Sequence, residues 1–266
     1  MDLQLGDVQT TALIPLAIKA NETKRENARI RDEKAVEIID ALGIDTAPYD
    51  KFLSHEGVIA HTIMLDRQLT ALLKKYPDAT VVNLGCGFDN RFSRIDNGKI
   101  LWFDVDLPDS IAVRKKAFSE RERVTMIAAD ALSPEWTVAV PKGHFPILLA
   151  EGLFMYLTLE QIRKLLSVIT DAFPCGILIA EQNNPLMVKQ QKHHDTVRHT
   201  NAVFKSGTKT AQEIADLCDK IRLVEEHSFN EEMKKYSFRA KLFATLLPSM
   251  NDRWATFAWG EDAQTS

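Results

Sequence analysis

A pair of glycines and four acids carry the chemistry open to this chain. Gly85-Cys86-Gly87 follows the apolar run Ala79-Thr-Val-Val-Asn-Leu84. Neither glycine has a Cβ, so the backbone turns sharply there and comes close to a ligand. Asp106, Asp130, Glu151 and Glu181 each close a later apolar run. Ligands of open parallel sheets bind outside the carboxyl ends of the strands, where an acid about twenty residues past a glycine loop holds ribose hydroxyls. Asp106 stands at that distance. A dinucleotide loop wants a third small residue three positions after the second glycine, and here that residue is Asn90. Its absence disfavours a pyrophosphate on the helix N-terminus. The loop and the acid together indicate adenosine, and the missing glycine tilts the reading toward S-adenosylmethionine, which has no phosphates to cradle.

Strands and helices must alternate to bring these residues to one edge. Strands are predicted over 79–85, 99–105, 123–129, 144–150 and 175–181, with two more in Arg222–Phe229 and Arg253–Trp259. The apolar runs fit strands buried on both faces of a parallel sheet. Helical spacing covers 109–120, 158–172, 210–218 and 233–246, and Thr158-Leu-Glu-Gln161 spells a capping box. Strand, helix, strand at this rhythm means right-handed parallel crossovers. Helices are also predicted within 7–43 and over Gly57–Tyr76, more than a plain dinucleotide fold needs, and they suit a cap over the ligand mouth. Residues 183–206 interrupt the alternation as an inserted lid helix. The organisation expected is one unit over 1–260, with a cap at 1–77, a core with lid at 78–260 and a frayed tail at 261–266.

The 266 residues are enough to bury a substantial core, and the net charge of −4 argues against nucleic acid as a partner. Cys86, Cys175 and Cys218 lie far apart and match no zinc spacing. With no apolar run long enough for a bilayer and no leader-like start, no membrane association and a cytoplasmic setting are expected.

Each acid has a plain alternative. Asp130-Ala131 either clasps an adenine or caps the next turn. Glu151 ends an apolar strand, where an unpaired carboxylate is costly, so it either faces a ligand or pairs with a cation. Tyr156 either orients a substrate or a base, or is a core aromatic with a wet hydroxyl. His193, His194, Asp195 and His199 lack the i,i+4 histidine pair of zinc helices and read as a solvated or substrate-contacting lid face, so no metal is expected.

Val-Asn-Leu-Gly-Cys-Gly-Phe-Asp-Asn-Arg, then Trp-Phe-Asp-Val-Asp-Leu-Pro, then Ala-Glu-Gly-Leu-Phe-Met-Tyr-Leu resemble the leucine carboxyl methyltransferase family, in its bacterial tetracenomycin-type (polyketide) O-methyltransferase branch. The resemblance runs from about residue 10 to 260. It implies an α/β, class I methyltransferase (Rossmann-like) fold, with seven mostly parallel strands whose last two form a hairpin, and S-adenosylmethionine as methyl donor. It implies that Gly85 and Gly87 flank the cofactor, that Asp106 holds the ribose, that Asp130 and Ala131 hold the adenine, and that Glu151 lies near the methionine end. Lys19 and His61 match the basic residues placed on the cofactor carboxylate. His61 departs from the family's usual Arg, which exchanges a bidentate clamp for a single pH-dependent bond. Arg67 is the nearest substitute. The function implied is methyl transfer to a carboxylate or hydroxyl of a small-molecule acceptor, with Glu151 and Tyr156 as catalytic residues. The rival readings are a protein C-terminal carboxyl methyltransferase, a non-catalytic adenosyl-ligand binder and an NAD-dependent oxidoreductase.

Overall fold

The computed structural model describes residues 11–119, 121–191, 202–246 and 252–261. Seven strands form one sheet: β1 (Thr80–Leu84), β2 (Leu101–Asp106), β3 (Val124–Ala128), β4 (Pro146–Ala150), β5 (Gly176–Gln182), β6 (Ile221–Ser228) and β7 (Arg253–Trp259). Their order is β3-β2-β1-β4-β5-β7-β6. The first five run parallel, while β7 is antiparallel to both β5 and β6. The order reverses between β1 and β4, which opens the ligand crevice at their carboxyl ends.

Period two sorts the strand residues between two apolar layers. Val82 and Leu84 face a core shared with Ile162, Leu165 and Ile169. Val81 faces the other way, against Leu65, Leu69 and Leu72. The first layer is covered by α6 (Leu159–Ala172), which begins with the expected capping box. Thr158 Oγ1 accepts from Gln161 N–H at 3.2 Å, and Gln161 Oε1 accepts from Thr158 N–H at 2.9 Å. Thr158→Ala should cost about 1 kcal/mol, seen as a lower urea midpoint with an unchanged m-value. No change in midpoint would show that the box is energetically idle.

Three helices precede the sheet: α1 (Leu13–Thr23), α2 (Glu33–Leu42) and α3 (Phe52–Lys75). Helix α3 starts five residues earlier than its periodicity indicates, and Gly57 lies inside it. At about 1.5 Å per residue its 24 residues span about 36 Å. Its second half packs on the sheet, and its first half reaches the carboxyl edge. Helices α1 and α2 pack with Phe88 of the glycine loop and with Val113 and Phe118. The cap and the loop therefore share one apolar cluster. A short α4 (Phe92–Ile95) follows β1, and α5 (Pro108–Ala117) follows β2.

The later helices are shorter than expected. Helix α7 (Pro185–Gln190) is the described part of the lid. His193, His194, Asp195 and His199 lie outside the described residues, and 202–208 form no helix. Helix α8 (Gln212–Ala215) tightens into i→i+3 bonds, Leu217 N–H to Ile214 and Cys218 N–H to Ala215. A short α9 (Asn230–Met233) ends where one helix was expected to begin, and of the expected 233–246 the part Phe238–Leu246 forms α10. Ser237 Oγ accepts from Ala240 N–H at 3.1 Å and caps a new start there. Among the described residues, no helix is long and apolar enough to cross a membrane.

Candidate active site

A cavity of about 530 Å³ opens at the carboxyl edge of the sheet. Lys19, His61, Gly85, Gly87, Asp106, Asp130, Ala131, Glu151 and Tyr156 all line it, so the structure brings these candidates together. Arg67 is not among them. It is 59% exposed and pairs with Glu232, so it offers no replacement for an arginine at position 61.

The glycine loop is held from three sides. Gly85 and Gly87 have φ of +68° and +47°, the left-handed region that disfavours a side chain. A Cβ on Gly87 would stand 3.1 Å from Ala12 Cβ, so the loop and the start of the cap are in close contact. Gly87 N–H donates to Asp106 Oδ2 at 2.8 Å, which joins the end of β2 to the loop. Arg114 of α5 donates to the carbonyls of Gly87 and Asp89, and to Asp104 at 2.7 Å. The two acids of β2 thereby separate. Asp104 is buried under Arg114 and Trp102, whereas Asp106 reaches the cavity. Burial pushes the Asp106 carboxyl up, against the amides of Gly87 and Leu107 that favour its ionised form. Asp130 is exposed, with Oδ1 accepting from Leu132 N–H at 2.9 Å; it both caps its turn and lines the cavity.

A buried ionic network forms the floor. Arg91, 1% exposed, lies at its centre. Its Nε is 2.6 Å from Asp66 Oδ1, and its Nη1 is 2.9 Å from Asp89 Oδ2 and 2.5 Å from Glu151 Oε2. Lys19 Nζ adds a 3.4 Å contact to Asp89 from the cap. Burial opposes charge on Asp89 and Glu151. Arg91 outweighs it, with help from Lys19 on both and from His61 on Glu151, and keeps the two carboxyls below their ordinary range.

His61 projects from α3 between two carboxylates. Its Nε2 is 3.0 Å from Glu151 Oε1, and its Nδ1 is 3.5 Å from Glu181 Oε1. Burial alone would strip its proton, but the fields of Glu151 and Glu181 raise the imidazole to about 9. The ring also meets Phe229 edge-on at 5.3 Å. The glutamates thus answer the charge that the resemblance assigns to a ligand carboxylate. His61 Nε2 and Glu151 Oε2 are nevertheless buried without an aligned hydrogen bond, close enough to pair electrostatically but not in line. A ligand carrying both a donor and an acceptor would complete them. Tyr156 is buried enough to push its hydroxyl up to about 12, so it is a neutral donor at physiological pH.

Two participants, Arg91 and Asp252, have no role in the sequence reading. Arg91 sits inside the glycine motif, yet its burial depends on Asp66 and Glu151, distant in sequence. Glu181, read from the sequence as an acid candidate for the substrate side, is paired by the structure with His61. Asp252 precedes β7. Because β7 runs antiparallel, its start falls on the edge where the parallel strands end, and Asp252 lines the cavity. Among the described residues, no cluster of His, Cys, Asp or Glu is arranged to hold a metal.

This strand order, with one antiparallel strand inserted beside β5 and the cavity at the reversal point, defines a class I methyltransferase fold. Solved structures share it: a Thermobifida fusca protein assigned to the methyltransferases (TM-score 0.62, 14% identity, 94% of each chain) and the magnesium protoporphyrin IX methyltransferase of Synechocystis (TM-score 0.52, 12% identity, 86% of this chain and 100% of that one). The chain belongs to the leucine carboxyl methyltransferase family, whose model matches residues 12–170. It is 27% identical over 228 residues to the tetracenomycin polyketide synthesis O-methyltransferase TcmP of Streptomyces glaucescens, covering 85% of this chain and 84% of the relative.

Proposed function

We propose that the chain transfers the methyl group of S-adenosylmethionine to an oxygen of a small, largely apolar acceptor. The observation that carries this is the single cavity in which the glycine loop, Asp106, Asp130, Lys19 and Glu151 converge beside an apolar wall. An adenosyl ligand suits these residues. Asp106 would take the ribose, Asp130 and Ala131 the adenine, and Lys19 the ligand carboxylate. Glu151, with its unaligned oxygen, would take the ammonium, and His61 would hold Glu151 in place. A dinucleotide suits them poorly. Two residues past Gly87, where a pyrophosphate would approach, stands the ionised Asp89, and the helix that follows is a four-residue turn.

The bound cofactor supplies an activated methyl group, so the protein's own work is alignment and exclusion of water. Val58, Met155, Met187, Phe204, Phe229 and Met233 line the acceptor side. Their apolar and aromatic surface suits a flat ring system, and the three methionines adapt to its outline. We propose further that the cap, core and lid act as one unit, because Lys19, His61 and Met187 line the same cavity as the glycine loop.

Calorimetric titration tests the reading. S-adenosylmethionine and S-adenosylhomocysteine should bind with micromolar affinity, and NADH should give no heat. Binding of NADH in preference to the adenosyl ligands would overturn it.

A further inference from the structure

Among the described residues, four glycines line the cavity: Gly57, Gly85, Gly87 and Gly152. The backbone explains three of them, since Gly85, Gly87 and Gly152 all have positive φ. Gly57 has no such reason. It lies inside α3, and its φ is not positive. Beyond its chain neighbours and its own helix backbone, a Cβ there would meet no heavy atom within 4 Å, so no packed element requires the side chain to be absent. Glycine inside a helix is destabilising relative to alanine, because ordering it costs more backbone entropy. What the missing side chain leaves is space, and that space belongs to the cavity.

Its place on α3 says which part of the cavity gains. Leu53, Gly57 and His61 follow at i, i+4 and i+8 on the face that lines the cavity. Leu53 is 38% exposed and marks the mouth, whereas His61 is buried against Glu151 and marks the inner end. Val58, next to Gly57, packs with Met155 and Phe204, so the recess lies on the acceptor side. The turns on either side are pinned. His55 stands 2.9 Å from Glu22 and 2.7 Å from Asp50, and Arg29 joins Glu22 to Glu56, each at 2.9 Å. His61 is held between Glu151 and Glu181. The helix therefore does not slide inward to fill the gap.

We propose that Gly57 sets the size of acceptor that the cavity admits, its missing side chain forming a recess that takes the outer edge of an acceptor with three fused rings. This rests on the methyltransferase reading above. At about 1.5 Å per residue, Gly57 stands about 6 Å outward from His61 along the helix. The carbon frame of two fused six-membered rings is shorter than that distance, and the frame of three is longer. An acceptor whose oxygen reaches the inner end thus lays its third ring against Gly57. The residue takes no part in bond making; it decides which ring systems seat with their oxygen beside the cofactor.

The test is calorimetry on the full chain. Failure of the wild type to bind S-adenosylhomocysteine would sink the methyltransferase reading, and the proposal with it. With that ligand bound, two matched pairs of probes are titrated: 2-naphthoate with anthracene-2-carboxylate, and 2-naphthol with 2-anthrol. In a pair that binds, the three-ring member should bind at least about tenfold more tightly in the wild type, through the apolar area of its extra ring. Gly57→Ala should cut that preference about threefold, while raising the folding equilibrium constant measured in urea by about 2–5-fold. Gly57→Leu should abolish the preference, with the three-ring probe weakened at least about tenfold, the two-ring probe less than about threefold and S-adenosylhomocysteine unchanged. A preference that survives Gly57→Leu, or equal losses for both ring sizes, would overturn the proposal. So would binding of none of the four probes by the loaded wild type. Loss of S-adenosylhomocysteine in a folded Gly57→Leu would assign the recess to the cofactor and overturn it as well. If Gly57→Leu misfolds, the alanine variant decides.

Discussion

Arg91→Met lowers the stability of the folded chain by about 3–5 kcal/mol at pH 7, the cost of leaving buried charges without their partner. The guanidinium answers Asp66, Asp89 and Glu151 at once and is almost wholly out of water. Asp66 retains Arg94, Asp89 retains Lys19 and Glu151 retains His61, which places the expected loss toward the lower figure. The pH dependence tests the cause. Asp89 and Glu151 have depressed carboxyls in the folded protein. Their stabilisation is therefore present above the ordinary carboxylate range and is lost as pH falls through their folded values. Without Arg91 much of this stabilisation is already gone, so the gap between variant and wild type narrows in acid. Urea denaturation at pH 7 and pH 3.5 measures it. Equal midpoints at pH 7 would show that the network does not depend on Arg91.

Glu151→Gln weakens S-adenosylhomocysteine by about 10–100-fold, the value of one charge-assisted hydrogen bond of about 1.5–3 kcal/mol. The same substitution shifts His61. With both glutamates present the imidazole stands at about 9, and with Glu181 alone it falls toward its ordinary 6.5. A raised folded value means that stabilisation from the imidazolium is full below 6.5 and disappears as pH climbs through about 9. In the variant that loss begins at lower pH. Imidazole proton shifts followed by NMR give the titration, and calorimetry gives the affinity. If affinity holds while the His61 titration moves, Glu151 serves His61 and not the ligand.

The parallel part of the fold was legible because strands buried on both faces read as apolar runs, and because Gly85 and Gly87 occupy a turn that side chains disfavour. Asp106, Asp130 and Glu151 were found by one rule, acids at the carboxyl ends of parallel strands. The same rule hid Asp252, which precedes its strand and reaches the edge only because β7 runs the other way. Arg91 is plain in the sequence, but a charged residue is exposed by default, and nothing local shows that Asp66 and Glu151 converge on it. Arg67 was the wrong arginine for a geometric reason. It lies six residues past His61 on one helix, and at about 100° per residue that is about 240° around the axis, away from the cavity. The pairing of His61 with Glu181 joins a cap helix to β5, a contact decided by packing alone. The lid helix expected over 183–206 does not run through 202–206, where Phe204 N–H donates to Gln191 Oε1 at 2.8 Å and Lys205 N–H to Met155 O at 2.7 Å in place of helical bonds.

The contact between Ala12 and Gly87 has a kinetic consequence. One wall of the cavity belongs to α1 and the opposite wall to the sheet, so a ligand reaching from Lys19 to Asp106 bridges two layers that also meet through the apolar cluster around Phe88 and the ion pairs Lys19–Asp89 and Asp32–Arg94. Such a ligand is expected to leave only as that seam parts. Its residence time is then governed by the parting of the two layers as well as by its own bonds, and the spent cofactor, holding most of the same groups, is released on that clock.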